Sequence, residues 1–161
     1  MSAGPAGPDA TLVGLLNRKR DRPSTSDWAA VLARLPLFAS VSKRHLRRVA
    51  ALAEIREFES GDTIVEKDDA PDGFYLILGG RAKVVARAQA RPLKTGDYFG
   101  EMALLDGEPR SATVVAVGNL QTMRLPRRPF MRLLQQEPSI AIAILAELGS
   151  RVRRLEKSRI A

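Results

Sequence analysis

The sequence predicts a mainly β protein, an antiparallel, jelly-roll-like β-roll flanked by N-terminal helices and by two C-terminal helices. Glycines divide the middle of the chain into short segments in which apolar and polar residues alternate or β-branched residues are frequent. These glycines are Gly61, Gly73, Gly79, Gly80, Gly96, Gly107 and Gly118. Short strands separated by turn residues are typical of an antiparallel roll rather than a parallel sheet. Helical spacing of apolar residues replaces this pattern at both ends of the chain.

The chain is predicted to form one domain preceded by a tail. Residues 1–25 are read as a flexible basic tail, because residues 1–9 offer almost no apolar bulk to bury and a cluster of cations follows at residues 18–22. A short amphipathic membrane anchor at residues 11–16 is the alternative, but so few apolar residues bury too little surface for stable attachment. Residues 26–161 are assigned to the domain.

Two helices are predicted at the start of the domain. The first begins at Ser26 or Asp27 and stops before Pro36, and Ser42 can cap the second. The apolar positions of the second helix share one face and its cations lie on the other, with Leu46, Val49, Ala50 and Ala53 opposed to Lys43, Arg44, Arg47 and Arg48.

The strand segments are predicted at residues 63–65, 74–78, 83–85, 113–117 and 120–125, and residues 81–94 should form a hairpin with its tip at 88–90. Helical spacing returns after Leu125, where Pro126 and Pro129 fit a helix entry. Ser139 can then cap a final helix over residues 139–158, and this helix carries one apolar stripe, Ile140, Ile144, Leu148, Val152 and Leu155.

Composition excludes several classes of site. The 161 residues include no Cys and one His, so no disulfide, thiolate metal site or zinc cluster is expected. Asp68, Asp69 and Asp72 lack the rest of a calcium loop and are taken as turn residues. We find no nucleophile and base pair, and therefore expect no enzyme activity. Neither a membrane-spanning run nor a signal peptide is recognisable, which predicts a cytoplasmic protein, and the net charge of +8 is concentrated near the chain ends.

The stretch 96–114 is the most informative part of the sequence. Gly100 lets the backbone approach a ligand closely and precedes a short run of helix formers, whose first N–H groups suit an anion. The turn at Asp106-Gly107 brings Arg110 back toward Glu101. An arginine fork pairs with phosphate oxygens and a carboxylate accepts hydrogen bonds from sugar hydroxyls, so the two residues suit a cyclic nucleotide. The alternative is a surface ion pair that closes a tight loop.

The motif F-G-E-x-A-L followed by P-R-S-A-T resembles the phosphate-binding cassette of the cyclic nucleotide-binding domain family, which includes the bacterial catabolite activator protein and the regulatory subunits of cyclic-AMP-dependent protein kinase. The resemblance covers residues 35–156, although the sequence departs from the family at Lys67-Asp68, where glycine is common. It implies a β-roll and a list of ligand-binding residues: Gly100, Glu101, Met102, Ala103, Arg110, Ser111 and Ala112.

The resemblance also implies individual roles. Glu101 would accept the ribose 2′-hydroxyl, Arg110 would pair with the cyclic phosphate, and Ser111 would offer its hydroxyl to the same phosphate. The last helix would act as a lid over the base, with Arg151, Arg154 and Leu155 as candidates for the base contact. We choose Arg154, because an arginine can lie flat on a purine. The implied ligand is cyclic AMP, with cyclic GMP as the alternative, and no cofactor or metal is expected.

Three functions follow as hypotheses. The first is a stand-alone cyclic nucleotide receptor that signals to an unidentified partner protein through movement of its last helix. The second is a fragment of a DNA-binding transcription regulator; direct DNA binding is not expected of this chain, because a helix-turn-helix would have to follow residue 161. The third is a nucleotide-independent docking or assembly module. The last helix is also a candidate surface for a homodimer.

Overall fold

The computed structural model describes residues 23–86 and 89–160. The predicted tail therefore lies outside the described residues as far as residue 22. The predicted first helix is confirmed, but it begins earlier than expected: α1 spans Thr25–Leu32, with Ser24 as its N-cap. The Ser24 side chain accepts from the Asp27 backbone N–H, and the Asp27 side chain accepts from the Ser24 N–H. This reciprocal capping box satisfies two N–H groups that a helix start leaves unpaired.

The second predicted helix is also present. A short 3₁₀ helix at Pro36–Phe38 connects α1 to α2, which spans Lys43–Ala50 and is capped by Ser42 as predicted. Leu46, Val49 and Ala50 are buried, and the cations of the opposite face are exposed. At the end of that face, Arg48 pairs with Glu137, which lies between the last two helices.

The described residues form an antiparallel sheet of six strands, which confirms the predicted β-roll. The strands are β1 (Glu54–Phe58), β2 (Thr63–Val65), β3 (Gly73–Ala86), β4 (Gln89–Leu93), β5 (Tyr98–Phe99) and β6 (Thr113–Pro126). Strand β6 pairs with β1, β2 and β3, and β3 pairs with β4 and β5. The two long strands β3 and β6 therefore lie at the centre of the sheet.

Both long strands correct the sequence prediction, which divided each of them at its glycines. Residues 74–78 and 83–85 belong to the single strand β3, and 113–117 and 120–125 belong to β6. The glycines mark shifts in the pairing register, at Ile77/Gly79 and Gly79/Arg81, rather than chain reversals. The predicted hairpin tip at 88–90 is wrong for its last two residues, because β4 begins at Gln89, which pairs with Ala86.

Three helices complete the domain. A short helix, α3 (Glu101–Asp106), lies between β5 and β6, and α4 (Arg127–Gln136) begins directly after β6. The final helix, α5, spans Pro138–Ile160, so Ser139, the predicted cap, lies inside it.

Two apolar clusters hold these elements together, and β3 contributes to both because its side chains alternate. Phe74, Leu76 and Leu78 pack against the helices, whereas Tyr75 and Ile77 pack inside the roll. Ile140 and Ile144 dock α5 onto the first cluster. A strand buried on both faces explains why residues 74–78 form a continuous apolar run instead of an alternating one.

The final helix is buried only along its first half. Ile140 and Ile144 are at most 2% exposed, but Val152 is 53% and Leu155 67% exposed, so the apolar stripe predicted for the helix packs only in part. Ile142 and Leu145 are also exposed. A homodimer through this helix remains a prediction. Across the described part of the chain, no helix combines the length and apolarity needed to cross a membrane.

Candidate functional site

The segment that carries the predicted site is anchored to the sheet at its beginning. Phe99 pairs with Tyr75 across β5 and β3, and the two rings stack with centroids 5.2 Å apart. Gly100 follows with φ +86°, a left-handed conformation, and its carbonyl accepts the first helical hydrogen bond of α3, from Leu104 N–H at 3.0 Å. A side chain is strained at this φ, so the sequence needs glycine where the strand turns into the helix.

Arg110 lies directly against that glycine. Its side chain is only 4% exposed, and its Nη2 donates to Asp72 Oδ1 at 2.8 Å and to the Gly73 carbonyl at 2.6 Å. The Nε atom is buried and has no hydrogen-bond partner among the described residues. A buried donor without a partner costs free energy, and such an atom indicates a site that is completed by something else.

Asp72 joins Arg110 to a wider charge network. Its Oδ2 accepts from the Tyr75 hydroxyl at 2.9 Å and lies 3.5 Å from Arg124 Nη2. Burial raises the pKa of the Asp72 carboxyl, but the hydrogen bonds from Arg110 and Tyr75 and the charges of Arg124 and Arg110 outweigh it and hold that pKa below its ordinary value of 3.8. Burial, together with the hydrogen bond to Asp72, raises the pKa of Tyr75 to about 12. The carboxylate therefore stays ionised and the phenol stays a donor at neutral pH.

Glu101 faces the last helix. Its Oε1 lies 3.6 Å from Arg151 Nη1, and each of the two side chains is 19% exposed. Burial raises the pKa of the Glu101 carboxyl above its ordinary value of 4.5, an effect that the Arg151 charge only partly offsets. Glu101 Oε2, Arg151 Nε and Arg151 Nη2 are buried and have no hydrogen-bond partner within the described chain. This ion pair therefore leaves one buried acceptor and two buried donors unsatisfied.

The other residues assigned from the sequence differ in their burial. Ser111 and Met102 are exposed, and Ala103 and Ala112 are half-buried beside them. Arg154, the predicted base contact, is 65% exposed and lies 3.7 Å from Glu147 on its own helix, and Leu155 is also exposed. Of the three candidates on the last helix, the structure brings Arg151 to Glu101 and leaves the other two at the surface.

Two of the cavities along the roll have carboxylates in their walls. A cavity of about 390 Å³ reaches Arg110 and Asp72 and is also lined by Thr63, Ile64 and Val65 of β2. A larger cavity of about 770 Å³ lies elsewhere, and Glu57, Glu59 and Asp62 are part of its wall. Glu66 and Asp69 also line the smaller cavity, so each wall holds three carboxylates, and the smaller cavity differs in that Arg110, paired with Asp72, is part of its wall.

Sequence reasoning missed several residues of this arrangement. The sequence indicates only a turn at Asp72, because nothing local to it shows that Asp72 pairs with Arg110, which lies 38 positions away. Tyr75 and Arg124 were assigned only to strands. Asp68 has φ +72°, which is uncommon outside glycine, and it stands where the family often carries glycine. The turn therefore keeps its left-handed conformation without a glycine.

Comparison with known proteins agrees with this geometry. The model of the cyclic nucleotide-binding domain family matches residues 55–137, more than half of the chain. The sequence is 36% identical to the cAMP-dependent protein kinase regulatory subunit of Aspergillus niger over 110 residues, which cover 66% of this chain and 27% of that protein. The chain thus spans about a quarter of the length of the relatives it matches.

Solved structures show the same fold. The N-terminal domain of a transcriptional regulator from Streptomyces coelicolor superposes with a TM-score of 0.68 at 24% identity, covering 81% of this chain and 95% of that domain. The regulatory domain of Toxoplasma gondii PKA with cAMP superposes with a TM-score of 0.60 at 25% identity, covering 81% of this chain and 50% of that one. The six-stranded roll, the glycine-led helix and the matched segment together show that the chain belongs to the cyclic nucleotide-binding domain family.

Proposed function

We propose that this domain binds cyclic AMP, in preference to cyclic GMP, and that it regulates a partner protein through its last helix. The observation that carries the proposal is a set of buried, unsatisfied atoms in the cassette and on the helix that faces it: Nε of Arg110, whose guanidinium lies against Gly100, and Oε2 of Glu101 with two nitrogens of Arg151. The likeness to kinase regulatory subunits supports a regulatory role.

The proposed roles divide the ligand between the two charged groups. Arg110 pairs with the cyclic phosphate, with the Ser111 hydroxyl and the N–H groups of Met102 and Ala103 nearby. Glu101 accepts the ribose hydroxyl at Oε2, while its Oε1 keeps Arg151 within 3.6 Å. The carboxylate can therefore hold the sugar and the last helix at once, since each oxygen has its own partner.

Nucleotide binding is tested by titration calorimetry with cyclic AMP, cyclic GMP and linear AMP. We expect saturable binding of cyclic AMP, weaker binding of cyclic GMP, and the weakest binding of AMP, whose terminal phosphate has a different shape and charge. A ligand that binds the folded state also raises the thermal midpoint, so a thermal shift is a second measurement. No heat and no shift at millimolar cyclic AMP would favour the nucleotide-independent docking module instead.

The movement of the last helix is a separate prediction. The first half of α5 is docked through Ile140 and Ile144, whereas Val152 and Leu155 in the second half are exposed, so the Arg151 contact is a main attachment of that half. A ligand shifts a conformational equilibrium only through a contact that differs between two states. A nucleotide hydroxyl or phosphate that meets the unsatisfied nitrogens of Arg151 is such a contact.

Hydrogen exchange with and without saturating cyclic AMP measures this movement. We expect protection to rise in the cassette around Glu101 and in residues 151–157, and to stay constant at the docked Ile140 and Ile144. If the cassette becomes protected while residues 151–157 do not change, the last helix is a static basic helix and the proposed signalling route is wrong. Arg151→Ala should abolish the added protection of residues 151–157, and Arg153→Ala, which removes an exposed arginine of the same segment, serves as its matched control.

A further inference from the structure

Arg127, the first residue of α4, contacts α3, the helix of the cassette, through two of its carbonyls. Its Nε donates to the Ala103 carbonyl at 3.2 Å and its Nη2 donates to the Leu105 carbonyl at 3.4 Å. Both carbonyls belong to α3, which spans Glu101–Asp106. The last carbonyls of a helix have no partner inside it, so the guanidinium gives Leu105 an external donor and gives Ala103 a donor in addition to the C-cap residue.

The chain after α3 is shaped to admit this guanidinium. Gly107 ends the helix with φ +69°, and a β-carbon built on it would lie 2.8 Å from Arg127 Nη2. Its N–H also donates to the Ala103 carbonyl, at 3.1 Å. A side chain at position 107 would displace the arginine, so the glycine and the arginine form one arrangement.

The backbone of Arg127 reaches the other half of the site. Its N–H donates to the Asp72 carbonyl at 2.9 Å, and Asp72 is the residue whose carboxylate holds Arg110. Arg127 thus contacts the helix that begins with Glu101 and also the partner of Arg110. Arg127 is also the first residue of α4, and α5 follows α4 in the chain. Arg151 of α5 forms the ion pair with Glu101.

We propose that Arg127 is a positioning residue for nucleotide binding: it fixes the cassette helix relative to Asp72 and transmits a displacement of that helix to α4 and α5. This inference rests on the proposed function, because the displacement is the one that the nucleotide causes. Arg127 itself touches no part of the nucleotide. A fork that spans two carbonyls moves with them, so a shift of α3 pulls on the first turn of α4.

The alternative hypothesis, that Arg127 only caps α3, predicts a different result. If Arg127 only satisfies the end of α3, its loss lowers stability and leaves the response of the last helix intact. If it transmits the displacement, its loss separates the two ends of the site: the cassette still responds to nucleotide, and residues 151–157 do not.

The experiment compares Arg127→Gln and Arg127→Lys with the control Arg128→Gln, which removes one charge from the adjacent, exposed residue. Calorimetry measures cyclic AMP affinity, and hydrogen exchange measures protection at residues 102–107 and 151–157. For Arg127→Gln we expect affinity to fall roughly 5- to 150-fold, the usual size of a coupling between sites. The nucleotide-induced protection of 151–157 should be lost. Arg127→Lys should be intermediate, because an ammonium keeps the charge but cannot span both carbonyls, and Arg128→Gln should match the parent.

An Arg127→Gln variant with parental affinity and parental protection of 151–157, changed only in its thermal midpoint, would overturn the inference and leave a helix cap. Should this variant fail to fold, Arg127→Lys provides the same comparison. If the parent protein binds no nucleotide, the proposed function is wrong. Hydrogen exchange measured without nucleotide then tests the inference about Arg127. Increased exchange at both 102–107 and 151–157 in Arg127→Gln supports it, and an increase at 102–107 alone rejects it.

Discussion

Arg110→Ala is expected to weaken cyclic AMP binding by about 2–5 kcal/mol, the usual cost of truncating one partner of a buried charge pair. In affinity this is roughly 30- to 4,000-fold. Arg110 is 4% exposed, so its attraction to a phosphate is screened little by water. Calorimetry on the purified variant measures the loss directly, and Arg110→Lys separates the charge from the two-pronged geometry, since only the charge remains.

The loss must be shown to come from the site and not from unfolding. After Arg110→Ala, the Asp72 carboxylate keeps the Tyr75 hydroxyl and Arg124 as partners, and it is 47% exposed to water, so the network does not retain an unpaired buried charge. Arg81→Ala removes an exposed arginine from β3 and is the matched control. Glu101→Ala should cost less than Arg110→Ala, about 1.5–3 kcal/mol, because its bond to the sugar has one neutral partner. Parental affinity in the Arg110 variant would mean that the phosphate site has been misassigned.

The local features of this fold could be predicted from the sequence, because their causes lie within a few residues. Ser42 caps α2, Gly100 starts α3 and Pro126 precedes α4, each for a reason that concerns its own backbone. The strand ends could not be predicted in the same way. Gly118 has φ +77° inside β6, and a glycine that bends a strand looks in the sequence like a glycine that reverses the chain.

Contacts between residues that lie far apart in the sequence were the second feature that could not be predicted from it. Asp72 lies near Arg110 because the chain after β2 runs beside residue 110, where the backbones of Asp69 and Arg110 are hydrogen-bonded, and a carboxylate in a turn gives no local sign of such a partner. Whether Arg154 or Arg151 meets the base remains a prediction, but the sequence indicates which of them lies on the buried face of α5. Arg151 follows the buried Ile144 by about two helical turns and therefore lies on the same face of α5, whereas Arg154 is rotated away from it.

The second large effect is expected for Gly100→Ala, which should remove most of the nucleotide affinity. Two costs add at this position. The backbone has φ +86°, where an alanine costs about 1–2 kcal/mol relative to glycine. A β-carbon would also overlap Arg110 Nη1 and lie 3.1 Å from the Gly73 carbonyl, so the guanidinium that should meet the phosphate has to move. We expect a loss of affinity comparable to that of Arg110→Ala.

Gly61→Ala is the control that separates the two costs. Gly61 has φ +89°, nearly the value at Gly100, but a β-carbon built there meets nothing within 4 Å. Both variants should therefore lose about 1–2 kcal/mol of unfolding free energy from the backbone, measured by urea denaturation, while only Gly100→Ala should lose nucleotide affinity. Equal affinities in the two variants would show that Arg110 is free to move without loss of binding. The close approach of glycine and guanidinium would then be a feature of packing, and the phosphate contact would have to be assigned to other groups of the cassette.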